Sequence, residues 1–330
     1  MNDDSTALGV TFGSLAVLGP RGVLDVADMA QELGYRSLWT VEATGTDAFT
    51  LLGAVAAGGR PLDLATGIVP VQLRPPTLTA MTAATLQALS PDQDVWVGLG
   101  VSAPGILRQH GCAPAARPIA MMREYVALLR ECLSGESVTF EGDFWSVKRF
   151  RLGVRQGERR PKIVMAALNP QMLRLAGEIA DGVLLNYIPA AHVPDSVAKV
   201  RSGGDAKIFA YVHAAVGDFE RSMHSARKDL FNYAMADGYA NMFRAAGYAT
   251  EVDELRSRQA ARDRDGALAA ITERMIQAID FIGDADAVAD FVRTYVQAGV
   301  EHPVLMPMPW GEDRLQVTSH TMAAAARALS

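Results

Sequence analysis

Cysteine is scarce in this chain. Cys112 and Cys132 are the two among 330 residues, which gives no disulfide framework and no zinc-type spacing. Cys132 falls inside an amphipathic helical pattern and reads as core. Long apolar runs are absent too, so no segment reaches the ~18 residues that a membrane-spanning helix needs. The opening MNDDSTALGV lacks the basic and apolar regions of a secretion leader, and a cytoplasmic protein is expected. Charge of one sign is in short supply. The formal net charge of -6 argues against nucleic acid or an anionic membrane as the main partner. No nucleophile elbow, P-loop or G-x-G-x-x-G follows an expected strand. The six histidines have no metal-ligand spacing, and no metal is expected.

What is present is an apolar fraction of 49%, enough for a sizeable core. The length permits one large α/β barrel or two smaller domains. The stretch Leu62–Pro104 carries the organisation. Leu62–Val69 is apolar, β-branched and without helical period, so it reads as a buried strand. Pro75 and Pro76 stop it and suit a helix start. Leu78, Met81, Leu86 and Leu89 then share one helical face, with Thr85 among them. Ser90-Pro91 ends that helix, and Val95–Leu99 is a second buried strand. Strand, crossover helix and strand make a right-handed βαβ unit. Ligands of such sheets sit at the carboxyl ends of the strands. Here those ends are Gly67–Pro70 and Gly98–Pro104.

The same alternation runs through the chain. Leu8–Phe12, Ser37–Val41, Lys162–Ala167, Gly182–Leu185, Lys207–Ala214 and Pro303–Pro307 are the remaining strands. Helices are expected between them, including Pro118–Leu133, Leu268–Ile279, Asp286–Gln297 and Arg314–Leu329. A hairpin is expected from Ser137–Phe140 and Phe144–Val147, with aromatic content that suits a flap. The arginines at 149, 151, 155, 159 and 160 read as a solvated loop or as a phosphate or partner patch. Phe231, Met235, Met242 and Phe243 read as core, and Thr250–Asp265 as an exposed helical insertion. Eight strands without an interdomain linker favour a closed (β/α)8 barrel over an open doubly wound sheet. It has one domain, with insertions at 135–160 and 218–265, after the fourth and seventh strands.

Several separate stretches carry a resemblance: SLWTVEATGTDAFT, LATGIVPVQLRPPTLTAMTAATLQALS, VWVGLGVSAP, KIVMAALNPQMLRLAGEIADGVLLN and GDADAVADFVRTYVQAGVEHPVLMP. Together they resemble the luciferase-like flavin and deazaflavin oxidoreductases, in particular the branch that uses coenzyme F420. The resemblance implies a (β/α)8 TIM barrel with the cofactor at the strand ends. It implies a bulge with a non-prolyl cis peptide at Gly67-Ile68, followed by Val69, on which the tricyclic ring rests. A tryptophan at Gly67 is then expected to occupy the ring's place in a folded protein. Glu42, with Asp47 five residues on, resembles the family's acidic site beside the ring; by itself it reads as a solvated loop acid. Val101-Ser102-Ala103 resembles a loop that contacts the cofactor side chain. The phosphate end is expected at Ala167-Leu168-Asn169, where a helix start offers free N–H groups. Leu168 and Asn169 replace a turn that carries glycine in many relatives, and Asn169 also reads as a helix N-cap.

The sugar-phosphate dehydrogenases of the family place histidine and glutamate where this chain has Ala43 and Val101, so sugar-phosphate oxidation is not expected. His110 is the proton donor best suited by location, and Glu42 is the second expected catalytic residue. Phe12, Gln72, Trp145, Asn186 and Trp310 are expected around the substrate. The expected function is F420-dependent reduction of a small molecule at a C=C or C=N bond. The alternatives are an FMN-dependent monooxygenase and a barrel that has lost its cofactor. By the resemblance, two copies pair through their early helices as a homodimer.

Overall fold

The structure is a computed structural model that describes residues 7–329. The leader-free reading of residues 1–6 lies outside the described residues. In chain order the strands are β1 (Gly9–Thr11), β2 (Ser37–Thr40), β3 (Asp63–Thr66), β4 (Val69–Pro70) and β5 (Val95–Gly100). Next come β6 (Val138–Glu141), β7 (Ser146–Phe150), β8 (Lys162–Ala166), β9 (Gly182–Leu185) and β10 (Lys207–Val216). Last are β11 (Asp280–Gly283) and β12 (His302–Pro307). Strands β1, β2, β3, β5, β8, β9, β10 and β12 pair in parallel in that order, and β12 pairs back to β1. The ring is closed, as the alternation of the sequence implied. A barrel interior is filled by side chains rather than left as a pore. Its packed interior includes Trp39, Trp96, Phe209 and Tyr211, with Phe209 5.1 Å from Trp39 and 5.0 Å from Trp96 between ring centres.

Three departures from the sequence reading have physical causes. First, β11 is an extra strand. Lys207–Ala210 of β10 pairs with β9, whereas His213–Val216 pairs with β11. The barrel splays there, because β9 ends at Leu185 while β10 continues. The helix expected over Leu268–Ile279 is accordingly two, Arg264–Ala269 and Glu273–Ile279. Thr272 starts the second by accepting the Met275 N–H on its side chain.

Second, the helix Pro76–Leu89 is rotated from the expected face. Thr79, Ala80, Ala83, Ala84, Leu86 and Gln87 are buried, while Leu78, Met81 and Leu89 are 43–54% exposed. Small side chains let the helix lie close to the strands, and the larger apolar ones point outward beside Phe49. Met235, expected as core, is exposed as well.

Third, the β6–β7 hairpin is no free flap. The Glu124 carboxylate accepts the backbone N–H groups of Asp143, Phe144 and Trp145, each at 2.8 Å, and pins its tip to the helix Pro118–Leu133. The second strand of the hairpin begins later than expected, at Ser146. Beyond it, Arg159 pairs with Asp94 and Arg160 donates to the Leu133 carbonyl, so part of the arginine run serves structure.

The helix Ala249–Ala260 buries Glu251, Val252 and Leu255 and is not wholly exposed. Cys132 is fully buried, and burial pushes its thiol up to about 11. Among the described residues no helix is long and apolar enough to cross a membrane.

Candidate functional site

The site is built where β3 breaks. The Gly67 N–H still donates to Thr40 on β2 (2.7 Å), and the Ile68 carbonyl accepts from Glu42 (3.0 Å). Two residues later the chain has moved to the other neighbour, with Val69 and Pro70 in register with Leu99 and Gly100 of β5. The peptide between Gly67 and Ile68 is cis. Buried backbone groups at such a break need partners. Thr66 Oγ1 supplies two, donating to the Gly98 carbonyl (3.0 Å) and accepting the Gly98 N–H (2.8 Å). Tyr211, on β10, donates its hydroxyl to the Gly67 carbonyl at 2.9 Å.

Glycine has a steric reason at Gly67. A β-carbon there would collide with the Tyr211 hydroxyl and reach Leu184. The side-chain direction therefore points into the packed barrel, and a tryptophan would break the core rather than replace a ring at the mouth. Gly98 and Gly100 have another reason. A β-carbon at Gly98 would collide with the Thr66 backbone carbonyl, whereas at Gly100 it would crowd the Ile68 side chain at 3.1–3.2 Å. Gly100 also lies beside Ala166 at the end of β8, 3.5 Å from where its own β-carbon would be. Half-buried Ile68, buried Gly100 and half-buried Ala166 thus lie in a row at the strand ends, and the helix Pro170–Ile179 begins four residues after Ala166.

Asn169 occupies the N-cap position of that helix but does not cap it. Its side chain donates instead to the Gly238 carbonyl, 3.1 Å away in the helix Asp237–Phe243. No cap side chain covers the first-turn N–H groups, where the dipole favours an anion. Ala167 is buried, and Leu168 is half-buried against the core. On the neighbouring loop Val101 and Ser102 are half-buried, and Ser102 has φ 50°, a left-handed conformation uncommon outside glycine. Gln72 bridges the two loops, donating to the Val101 carbonyl at 3.0 Å. Its Oε1 is buried without a hydrogen-bond partner.

Glu42 is not a free acid. Arg74 grips both of its carboxylate oxygens at 2.8 Å and also holds Asp47. The Glu42 carboxylate, as hydrogen-bond partner, raises the guanidinium further above its ordinary range. Arg74 is the only basic residue between β3 and its helix, and its sign opposite Glu42 was the available clue in the sequence. His110 is exposed, and one of its ring nitrogens lies 2.6 Å from the Ala43 carbonyl on the loop that carries Glu42.

The expected substrate residues divide. Asn186 directly follows β9 and is half-buried; its amide donates to the Tyr239 hydroxyl (3.0 Å), and its oxygen meets His213 Nε2 (3.0 Å). Burial pushes the Tyr239 hydroxyl up to about 12. Phe12 is buried, with its ring toward the helix start at Gly22, and is core rather than mouth. Trp145 packs edge-to-face on buried Tyr125 at 5.1 Å, within the helical layer. Trp310 is partly buried against the core. Sequence reasoning missed Arg74, Tyr211 and Tyr239, whose partners lie on other elements or loops.

A closed ring of eight parallel strands with a broken third strand defines an α/β-barrel protein. More particularly, the chain belongs to the luciferase-like monooxygenase family, which matches residues 7–302. A Mycobacterium tuberculosis protein named as a coenzyme F420-dependent oxidoreductase is 26% identical over 322 residues, covering 89% of this chain and 92% of its own. The 5,10-methylenetetrahydromethanopterin reductase of Archaeoglobus fulgidus is 24% identical over 300 residues, 87% of this chain and 89% of its own. The solved F420-dependent tetrahydromethanopterin reductase of Methanopyrus kandleri shares the fold. Its TM-score is 0.82 at 20% identity, covering 99% of this chain and 100% of that one.

Proposed function

We propose that this chain is an F420-dependent oxidoreductase that reduces a small organic molecule at a C=C or C=N bond. The observation that carries the reading is the row of Ile68, Gly100 and Ala166 at the strand ends, with the chain from Ala166 leading into the uncapped helix start at Pro170. An apolar shelf at one end and unpaired N–H groups at the other match a flat ring with an anionic tail. The name of the Mycobacterium tuberculosis relative supports the same choice of cofactor. The deazaflavin, when bound, supplies the hydride.

The residues of the chain do the rest. Ile68 and Val69 carry the ring face, with Gly67 keeping the barrel beneath it closed. Gln72 Oε1 accepts from the ring's polar edge. Val101 and Ser102 line the side chain, and Ala167, Leu168 and Asn169 the phosphate end. Glu42 shapes this wall as the partner of Arg74, so its role is to hold a charge pair at the ring rather than to move a proton. His110 donates one ring N–H to the Ala43 carbonyl, so it is as the doubly protonated imidazolium that its other nitrogen supplies a proton to the substrate. Asn186, held from both sides, orients the substrate. Two copies pair across the exposed face of Leu78, Met81 and Leu89.

The test is a single-turnover mixture of the protein with reduced F420 and a panel of enones and imines, without oxygen. Oxidation of the deazaflavin by one class of acceptor is expected. Reaction with none of them, together with substrate-dependent oxygen consumption when reduced FMN replaces F420, would overturn the reading.

A further inference from the structure

Behind Asn186 lies a cluster that the proposed chemistry does not use. His213 on β10, Asp280 at the start of β11 and Asp229 on the helix Phe219–Ala234 each offer a ligand atom, all within 4.8 Å of one another. His213 is 1% exposed and Asp280 is fully buried. The hydrogen bonds around the cluster assign its donors. The Asn186 amide nitrogen faces Tyr239, so its oxygen faces His213 Nε2, which must carry the hydrogen. In the neutral ring Nδ1 is then a lone pair, and it points at Asp280 Oδ1 from 3.1 Å. Asp280 Oδ2 is buried with no donor in reach. Tyr187 donates to Asp229 at 2.6 Å from behind.

The centre is therefore lined by acceptors alone: an imidazole lone pair and carboxylate oxygens from two residues. Burying such groups together is unfavourable unless something positive sits among them. The outer contacts already have the form of a metal site's surroundings. The imidazole donates its far N–H to a carbonyl oxygen, and a ligating carboxylate accepts from a hydroxyl. We propose that His213, Asp229 and Asp280 bind one divalent transition-metal ion, a clip that joins β10, β11 and the helix Phe219–Ala234 where the barrel splays. One imidazole with two carboxylates suits Zn2+, Mn2+, Fe2+ or Co2+ better than a soft or an all-oxygen ion. Asp229 is only partly buried, which gives the ion a way in. The inference is independent of the deazaflavin reading.

The test uses the full chain, stripped with chelator and titrated with Zn2+ and with Mn2+ by calorimetry, alongside thermal unfolding. One ion per chain and a higher Tm are expected. Both effects should weaken roughly tenfold or more in Asp280→Asn and in Asp229→Asn. These variants keep the side-chain shape, and each checks the other if one fails to fold. No saturable binding of either ion would overturn the proposal and leave a shared proton as the positive charge in the cluster. Binding of unchanged strength in both variants would also overturn it, since the ion would then sit elsewhere.

Discussion

At the scale of single residues, Gly67 is decided by what lies behind it. The sequence marked it as a strand-end glycine, and the resemblance added a ring in front. Neither revealed Tyr211, 144 positions away, whose hydroxyl occupies the space of the missing β-carbon. Gly67→Ala should cost about 1–3 kcal/mol by overpacking. Tyr211→Phe in the same chain should return part of that, as read by urea unfolding. Equal losses with and without the Tyr211 hydroxyl would put the clash elsewhere. Glu42 was legible as an acid at a strand end, but its Arg74 partner required the loop's path.

His302 offers a residue-scale test by pH. Burial pushes its imidazole down to about 3, and its Nε2 lies 2.8 Å from the Ser37 hydroxyl. The unfolded chain binds this proton near the ordinary pKa of about 6.5 and the folded chain does not. Its contribution is therefore complete above that pH and is lost, by about 1.4 kcal/mol per pH unit, as pH falls toward the folded value. His302→Gln removes that dependence, so the variant should gain on the parent between pH 6.5 and 4. A stability difference that stays constant over this window would contradict the assignment.

At the scale of elements, periodicity located the barrel strands because buried parallel strands are short apolar runs. It failed for β11, whose DFIG follows a helical pattern without a breaker and becomes a strand only because β10 outruns β9. It also misplaced the buried face of the helix Pro76–Leu89, where close packing prefers alanine and threonine to leucine. The hairpin shows a third limit: its aromatics suggested mobility, and one carboxylate on another element removes it. Glu124→Ala should therefore speed amide hydrogen exchange at Asp143, Phe144 and Trp145 by roughly tenfold or more while leaving the barrel strands protected, because only local opening becomes cheaper. Unchanged exchange at the tip would show that the Arg117–Asp143 ion pair and the packing of Trp145 on Tyr125 suffice.

At the scale of the whole molecule, the closed barrel was readable from the count and order of its strands, whereas the wiring of its mouth was not. The apolar stripe of Leu78, Met81 and Leu89, beside Phe49, gives the proposed pairing its area. Sedimentation should show a dimer at micromolar concentration that dissociates in Met81→Glu; a monomeric parent would refute the pairing. The central claim is that a deazaflavin lies between the bulge and the helix start at Pro170. It is tested most directly by titrating the purified chain, in separate samples, with F420 and with FMN while following ring fluorescence. The account predicts saturable F420 binding at micromolar concentration, with FMN at least about tenfold weaker, a difference of ~1.4 kcal/mol. Saturable FMN binding with no F420 binding would contradict it.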